Sequence, residues 1–280
     1  MDRRRRPAND RVVEHQCAHL FPDLQPVALR AGRVMWPVVD LALDFGGARD
    51  RQLLFGQDFA VLEEREGLYF GISDQADYAG WVDKEAISLD MPVPRARCWV
   101  HVRQTHAYAA PDFKSPDLIA LSLGSSFAPG AQKGSFVETP SGWVPAQHVG
   151  MEPESDPVAV AERLLGTPYL WGGNSAFGID CSGLVQLAFQ ICGQPCPGDS
   201  DLQAEELGET LPPGSAFQRN DVLFWKGHVA LVADAHTILH ANAFHMAVAY
   251  ERLEAAVERI QKQGDGPLLR HARLKRFEHI

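Results

Sequence analysis

Leu184, Leu187, Ala188 and Ile191 recur at i, i+3, i+4 and i+7, with Gly193 and Pro195 just beyond them. The spacing predicts a helix that starts near Cys181, buries one face and ends about Gly193. Earlier, from about residue 27 to 89, the pattern is one of short apolar runs at 38–43, 52–56, 59–62, 68–72 and 80–82, separated by Gly and Asp turns. Such runs predict a small β-barrel. A second stretch of the same kind extends from Cys98-Trp99-Val100-His101-Val102 to Val149. Two landmarks repeat between them: Gly56 with Phe59 is echoed by Gly124 with Phe127, and Gly80-Trp81-Val82 by Gly142-Trp143-Val144. Two imperfect copies of one unit account for this.

The polar, Pro-containing segment from Met151 to Ser155 reads as a domain break. A helix should follow, with Asp156 as cap, Pro157 in its first turn, Val158, Leu164 and Leu165 on its apolar face, and Gly166 and Pro168 ending it. Pro197-Gly198-Asp199-Ser200 opens another helical segment, where Asp199 and Ser200 would serve as caps on the plainest reading. Beyond Pro212-Pro213 the pattern becomes strand-like at 221–225, 228–233 and 238–242. It closes with an amphipathic helix at about 253–263 and a basic terminal segment expected to complete the sheet. The expected fold class is α+β, divided into an arm (1–24), two small barrels (25–92 and 97–150) and a larger domain (156–280).

Composition narrows the partners. A formal net charge of −10 argues against nucleic acid as the main partner and gives no signal for anionic membranes. No stretch approaches the roughly 18 apolar residues of a membrane span, and no apolar core follows the basic start, so a cytoplasmic location is expected. The Arg3–Arg6 run reads as a solvated end. The five cysteines, at 17, 98, 181, 192 and 196, are too scattered for a disulfide framework. Cys192 and Cys196 lack a second Cys/His pair, so no metal site is expected.

One cysteine stands apart. Cys181 falls at the predicted start of a helix, where unpaired N–H groups and the helix dipole favour a thiolate and could hold an oxyanion. Asp180 and Ser182 flank it, and Gly172, Gly173, Gly178 and Gly183 suggest close backbone approach. A nucleophilic thiol needs an imidazole, and the imidazole needs an orienting group. His228, His236, His240 and His245 compete. If the strands at 228–233 and 238–242 form a hairpin with an odd-length loop, His240 faces Ala230 and shares a face with His228. His236 then lies in the turn and His245 on the opposite face; an even-length loop would reverse the assignment. Tyr169 could be a core aromatic or could turn its hydroxyl toward the thiol.

Asp-Cys-Ser-Gly-Leu after Pro-Tyr-Leu-Trp-Gly-Gly, followed in order by Gly-His-Val-Ala-Leu-Val and Leu-His-Ala-Asn, resembles the NlpC family of papain-like cell-wall peptidases over roughly residues 156 to 280. The two Gly-Trp-Val stretches resemble bacterial SH3 domains. The resemblance implies a papain-like cysteine peptidase domain preceded by two SH3-like β-barrels, with Cys181 as nucleophile, His228 as base and His240 orienting it. It places Tyr169 near the oxyanion, and Asp180, Ser182, Asp199, Ser200 and Trp171 around the substrate. It also implies a tyrosine from the first barrel closing the cleft, for which Tyr78 is the candidate. The similar branch of the family cleaves short murein peptides between γ-D-Glu and a diamino acid, meso-diaminopimelate or Lys, beside a free N-terminal L-Ala, without metal or organic cofactor. An amidase or acyltransferase acting on a related substrate, or a non-catalytic SH3-type peptide-binding protein, are the competing expectations.

Overall fold

The computed structural model describes residues 1–89, 96–264 and 266–274. The expected ends of the first barrel, at 92, and of the last domain, at 280, lie outside the described residues. By its internal contacts the chain divides into two units, one from Met1 to Glu152 and the other from Pro153 onward.

The first unit is all β apart from short 3-10 turns. Strands Arg30–Val34, Asp58–Arg65, Leu68–Ser73, Tyr78–Asp83 and Ile87–Leu89 form one five-stranded sheet, with the pair Val38–Leu41 and Arg51–Leu54 beside it. Phe59, Leu41, Leu53, Val34 and Tyr78 pack inside. A second set of strands from Cys98–Val100 to Val149–Gly150 encloses Phe55, Val100, Leu121, Phe127 and Val144. The repeat seen in the sequence is real in the backbone. Gly56 and Gly124 both take left-handed φ, +83° and +85°, and donate to Val34 and Val100 carbonyls at 2.8 and 2.9 Å. Both Gly-Trp-Val strands run into a 3-10 turn, Lys84–Ala86 or Ala146–His148, and then into a short closing strand. The copies differ at tryptophan: Trp81 is buried, whereas Trp143 is half-buried.

The Arg3–Arg6 run, expected as a solvated end, belongs to an N-terminal arm that packs on the first barrel. Val12 is buried with Leu62, Phe70, Ala79 and Trp81, and Val13 is buried too. Arg5 pairs with Asp77, and Asn9 donates to Glu63 at 2.6 Å. Arg3 and Arg5 fasten this segment to the first barrel by pairing with Asp44 and Asp77 while the valines cover apolar surface; Arg4 pairs with Asp2 within the segment, and Arg6 lies over the Phe21 ring.

The second unit packs helices on a sheet. Helix α1 spans Pro157–Glu162, α2 Cys181–Ile191, α3 Ser200–Glu206 and α4 Leu253–Gln263. Strands β1 (Glu209–Thr210), β2 (Val222–Trp225), β3 (His228–Asp234), β4 (Thr237–Asn242), β5 (Ala247–Arg252) and β6 (Arg270–Arg273) form a six-stranded sheet in the order β1-β6-β2-β3-β4-β5. The C-terminal basic segment thus enters the sheet as β6, fastened where Arg273 and His271 grip buried Asp221. Helix α2 is buried nearly all round and lies on β3 and β4. A helix of this kind needs apolar residues on more than one face, which Leu184, Val185, Leu187, Ala188, Phe189 and Ile191 supply. Among the described residues no helix is long and apolar enough to cross a membrane.

Candidate active site

Asp180 caps α2 in an extended conformation, so Cys181 is the first residue of the helix. One carboxylate oxygen of Asp180 accepts from the Gly183 N–H at 2.6 Å and from the Ser182 hydroxyl at 3.0 Å; the other accepts from the Gly172 N–H at 2.9 Å. The cap and the glycine approach are thus one construction. A Cβ on Gly173 would sit 2.6 Å from the Gly178 carbonyl oxygen, and one on Gly178 would meet the Leu170 side chain at 2.7 Å. The two loops close only because these side chains are absent. Cys181 is 7% exposed at the helix N-terminus. The N–H groups of the first helical turn point toward this end, that of Gly183 being held by the Asp180 carboxylate.

The histidines lie on the sheet beneath. Leu231 stands opposite Leu239 and Val232 opposite Ile238, which extends to Ala230 facing His240. The register is the one an odd loop would give, but it is reached differently. The turn holds two residues, Ala235 and His236, and Ala233 is bulged between Val232 and Asp234, adding the missing residue. His228 and His240 therefore share a face, with His228 Nε2 2.9 Å from His240 Nδ1. His236 is in the exposed turn. His245 departs from expectation: it lies in the turn between β4 and β5, its ring centroid 6.4 Å from that of His240, because the turn folds back over the same face.

Two residues that the sequence did not single out complete the line. His240 Nε2 lies 3.1 Å from Glu251 Oε2, and Arg259 on α4 donates to both Glu251 oxygens, at 2.9 and 2.7 Å. The signal was recoverable only from pairing. Glu251 is opposite Ile238, two residues before His240 on the same face. Strand β5, with its charged Glu251 and Arg252, carried no apolar alternation to betray it. Proton order follows along this line. Burial would raise the Glu251 carboxyl, but hydrogen bonds from Arg259 and His240 bring it down to about 2, so it is an acceptor at neutral pH. His240 must then carry its proton on Nε2, leaving Nδ1 to accept from His228 Nε2–H. Neutral His228 is left with a lone pair on Nδ1. Burial, then the neighbouring His240 and Arg259 charges, pull the His228 imidazole down to about 3, so at rest it is neutral and able to take a proton. His240 is lowered as well, first by burial and against the pull of Glu251.

The remaining expected residues separate. Tyr169 is bonded through its N–H to Met246 and bridges Ile179; burial, then the negative charge of Cys181 and Asp180, raises its hydroxyl, which stays a donor beside the thiol. Trp171 is 71% exposed next to the capping loop. Asp199 precedes α3 but makes no side-chain cap bond. The 197–203 stretch, carrying Asp199 and Ser200, is tied to the start of α2 by buried Gln203, which donates to the Ser182 and Pro197 carbonyls at 2.9 Å each. Tyr78 is 3% exposed and packs with Val34, Leu41, Tyr69 and Ala76 within the first unit. Among the described residues, His240, His245 and Glu251 bring ligand-type atoms within 4.8 Å of one another. With both Glu251 oxygens engaged by Arg259, the group reads as a hydrogen-bond network.

Comparison with known proteins agrees with this reading. Residues 166–261 match the NlpC/P60 family, and residues 42–87 match the bacterial dipeptidyl-peptidase Sh3 domain. The chain is 26% identical over 217 residues to a dipeptidyl-peptidase 6 from Lysinibacillus sphaericus, covering 68% of this chain and 79% of that protein. It is 28% identical over 215 residues to a gamma-D-glutamyl-L-lysine dipeptidyl-peptidase from Bacillus subtilis, covering 68% and 71%. The crystal structure of an NlpC/P60 family protein from Bacillus cereus superposes with a TM-score of 0.70 at 16% identity, over 87% of this chain and 99% of that one. That likeness concerns the fold, which is α+β with a papain-like domain behind SH3-like barrels. The chain carries a domain of the NlpC/P60 cysteine peptidases, preceded by a bacterial dipeptidyl-peptidase SH3 domain.

Proposed function

We propose that this protein is a peptidoglycan-peptide hydrolase that cleaves between γ-D-Glu and a diamino acid in short murein peptides with a free N-terminal L-Ala. The observation that carries the proposal is the ordered line His228–His240–Glu251 on the strands against which helix α2 packs, with Cys181 at the first position of that helix. Two relatives named as gamma-D-glutamyl-L-lysine dipeptidyl-peptidases support the choice of bond.

Each step has a residue. His228 Nδ1 takes the Cys181 proton, and the thiolate attacks the γ-glutamyl carbonyl carbon. Helix N–H groups, with the protonated Tyr169 hydroxyl beside them, stabilise the oxyanion. The imidazolium then protonates the leaving amine of the diamino acid as the C–N bond breaks, leaving a thioester. Water, deprotonated by His228, hydrolyses the thioester and returns the thiol. Asp180 offers a carboxylate to the substrate's ammonium, which a blocked amine could not match. Trp171 and the Asp199–Ser200 stretch border the same place. Five free cysteines favour a reducing compartment as the place of action, consistent with a recycling role in the cytoplasm.

The test is mass spectrometry of products from L-Ala-γ-D-Glu-meso-diaminopimelate and its Lys counterpart, each with and without N-acetylation, using wild type and Cys181→Ala. Release of L-Ala-D-Glu by wild type alone, and from the free-amine peptides alone, is the expected result. Cleavage of acetylated peptides at equal rate would remove the amine requirement, and no cleavage of any would remove the assignment.

A further inference from the structure

The line of hydrogen bonds does not stop at His240. Glu251 is half-buried, and its side chain receives three bonds, one from His240 and two from Arg259. Arg259 lies on α4, one helix beyond the sheet, and its guanidinium also stacks 4.6 Å from the Phe244 ring centroid. That stacking holds the guanidinium plane while both carboxylate oxygens are gripped. A carboxylate held this way is an acceptor of fixed position and fixed charge.

The consequence reaches two residues away. A neutral imidazole can carry its proton on either nitrogen, and a pair of imidazoles sharing one hydrogen bond has two opposite proton orders. In one, His228 Nδ1 is a lone pair; in the other it is an N–H and cannot accept from a thiol. Nothing within the pair selects between them. Glu251 does, because only the first order places an N–H against its oxygen. We infer that Glu251, held by Arg259, is a positioning residue that sets the proton order of His240 and His228 and so keeps His228 competent as a base. The inference rests on the reading of Cys181 and His228 as nucleophile and base. It adds that the working unit extends through four side chains to helix α4.

The groups that bear on the two rings are each other, Glu251, Arg259 and, for His240, His245. Helix α2, packed on β3 and β4, adds Cys181 and Asp180, with Tyr169 ahead of it. Of these, Glu251 is the carboxylate in contact with the pair, and its charge favours a protonated ring after the thiol has ionised.

The experiment follows iodoacetamide alkylation at Cys181 as a function of pH, site-resolved by mass spectrometry, beside kcat and KM on the free-amine murein tripeptide. Glu251→Gln removes the charge and can present His240 with an NH2 donor as readily as an oxygen, so it no longer selects one proton order. It should move the alkylation midpoint up by about one pH unit and lower kcat at least tenfold with KM little changed. Glu251→Asp, which keeps the charge, should restore the midpoint. Arg259→Met leaves the carboxylate un-neutralised and should move the midpoint down; it decides the matter if Glu251→Gln fails to fold. Folded variants whose midpoints stay with wild type, whatever their melting temperatures, would overturn the inference. Its failure is separable from failure of the functional reading: a wild-type midpoint at an ordinary thiol value removes both. A low wild-type midpoint without tripeptide cleavage removes only the proposed substrate.

Discussion

Gly183 lies so close to Gly173 that a Cβ on it would stand 2.4 Å from the Gly173 carbonyl oxygen, and 2.8 Å from Asn174 Oδ1. Both neighbours are fixed. The Gly173 carbonyl accepts from the Asp180 N–H at 3.1 Å, and Asn174 donates to buried Gln186 at 3.3 Å. Gly183→Ala is therefore expected to push the first turn of α2 away from the capping loop. Overpacking of this kind costs about 1–3 kcal/mol. The loss of peptidase activity should exceed what that destabilisation explains, since Cys181 moves with the turn. Thermal melts and single-turnover rates on the same sample check both.

Asp180 has two separable duties. Asn is as good a cap as Asp, whereas Ala costs about 1 kcal/mol at such a position. Asp180→Asn can keep the cap to Gly183 but turns an amide NH2 toward the Gly172 N–H from which the second carboxylate oxygen accepts, so both Asp180→Asn and Asp180→Ala should melt below wild type. In both variants the preference for a free over an acetylated N-terminus should fall, because the charge is gone in each. Equal preference in Asp180→Asn and wild type would show that the ammonium is recognised elsewhere.

Acid should destabilise the protein through the same line of residues. His228 is held at about 3 when folded, against 6.5 for a free imidazole, so between those values the unfolded chain binds a proton that the folded one refuses. Stability conferred by neutral His228 is complete above about pH 6.5 and is lost as pH falls toward 3. Glu251 acts in the same direction lower down, its contribution being lost as pH falls from 4.5 through about 2. Melting temperature should fall steadily from pH 7 to pH 4, and His228→Gln should flatten the slope in the upper part of that range. An unchanged slope in the variant would remove His228 as its source.

The cysteines should label in a definite order. Burial, with the nearby carboxylates of Glu154 and Asp156, pushes the Cys192 thiol up to about 12, and burial raises Cys98 as well. Native protein treated briefly with iodoacetamide at pH 7 should carry the label at Cys181 first, and Cys192 and Cys98 should react only once urea unfolds their units.

Much of this architecture could be read from the chain because its signals are local. The apolar spacing from Leu184 and the stop at Gly193 and Pro195 fix α2 within a turn of sequence, and the doubled Gly-Trp-Val strands marked the barrel repeat. Leu253–Gln263 was equally plain, being amphipathic and ended by Gly264 at φ +102°. What escaped depends on distant partners. Glu251 is ordinary in sequence and becomes informative only opposite Ile238, with Arg259 behind it. The N-terminal segment lacks periodicity because its fastening is made of ion pairs and two valines.

The bulge at Ala233 turns the β3–β4 hairpin into a parity device. Every residue in a strand changes face when the pairing shifts by one, and the bulge supplies the shift that sets His240 opposite Ala230, on the face of His228. Insertions of two residues into the Ala235–His236 turn would lengthen the loop and leave both imidazoles on one face. Drawing Ala233 into a regular ladder opposite Ile238 would shift the register by one with no change of sequence, and would turn one ring to the other side of the sheet.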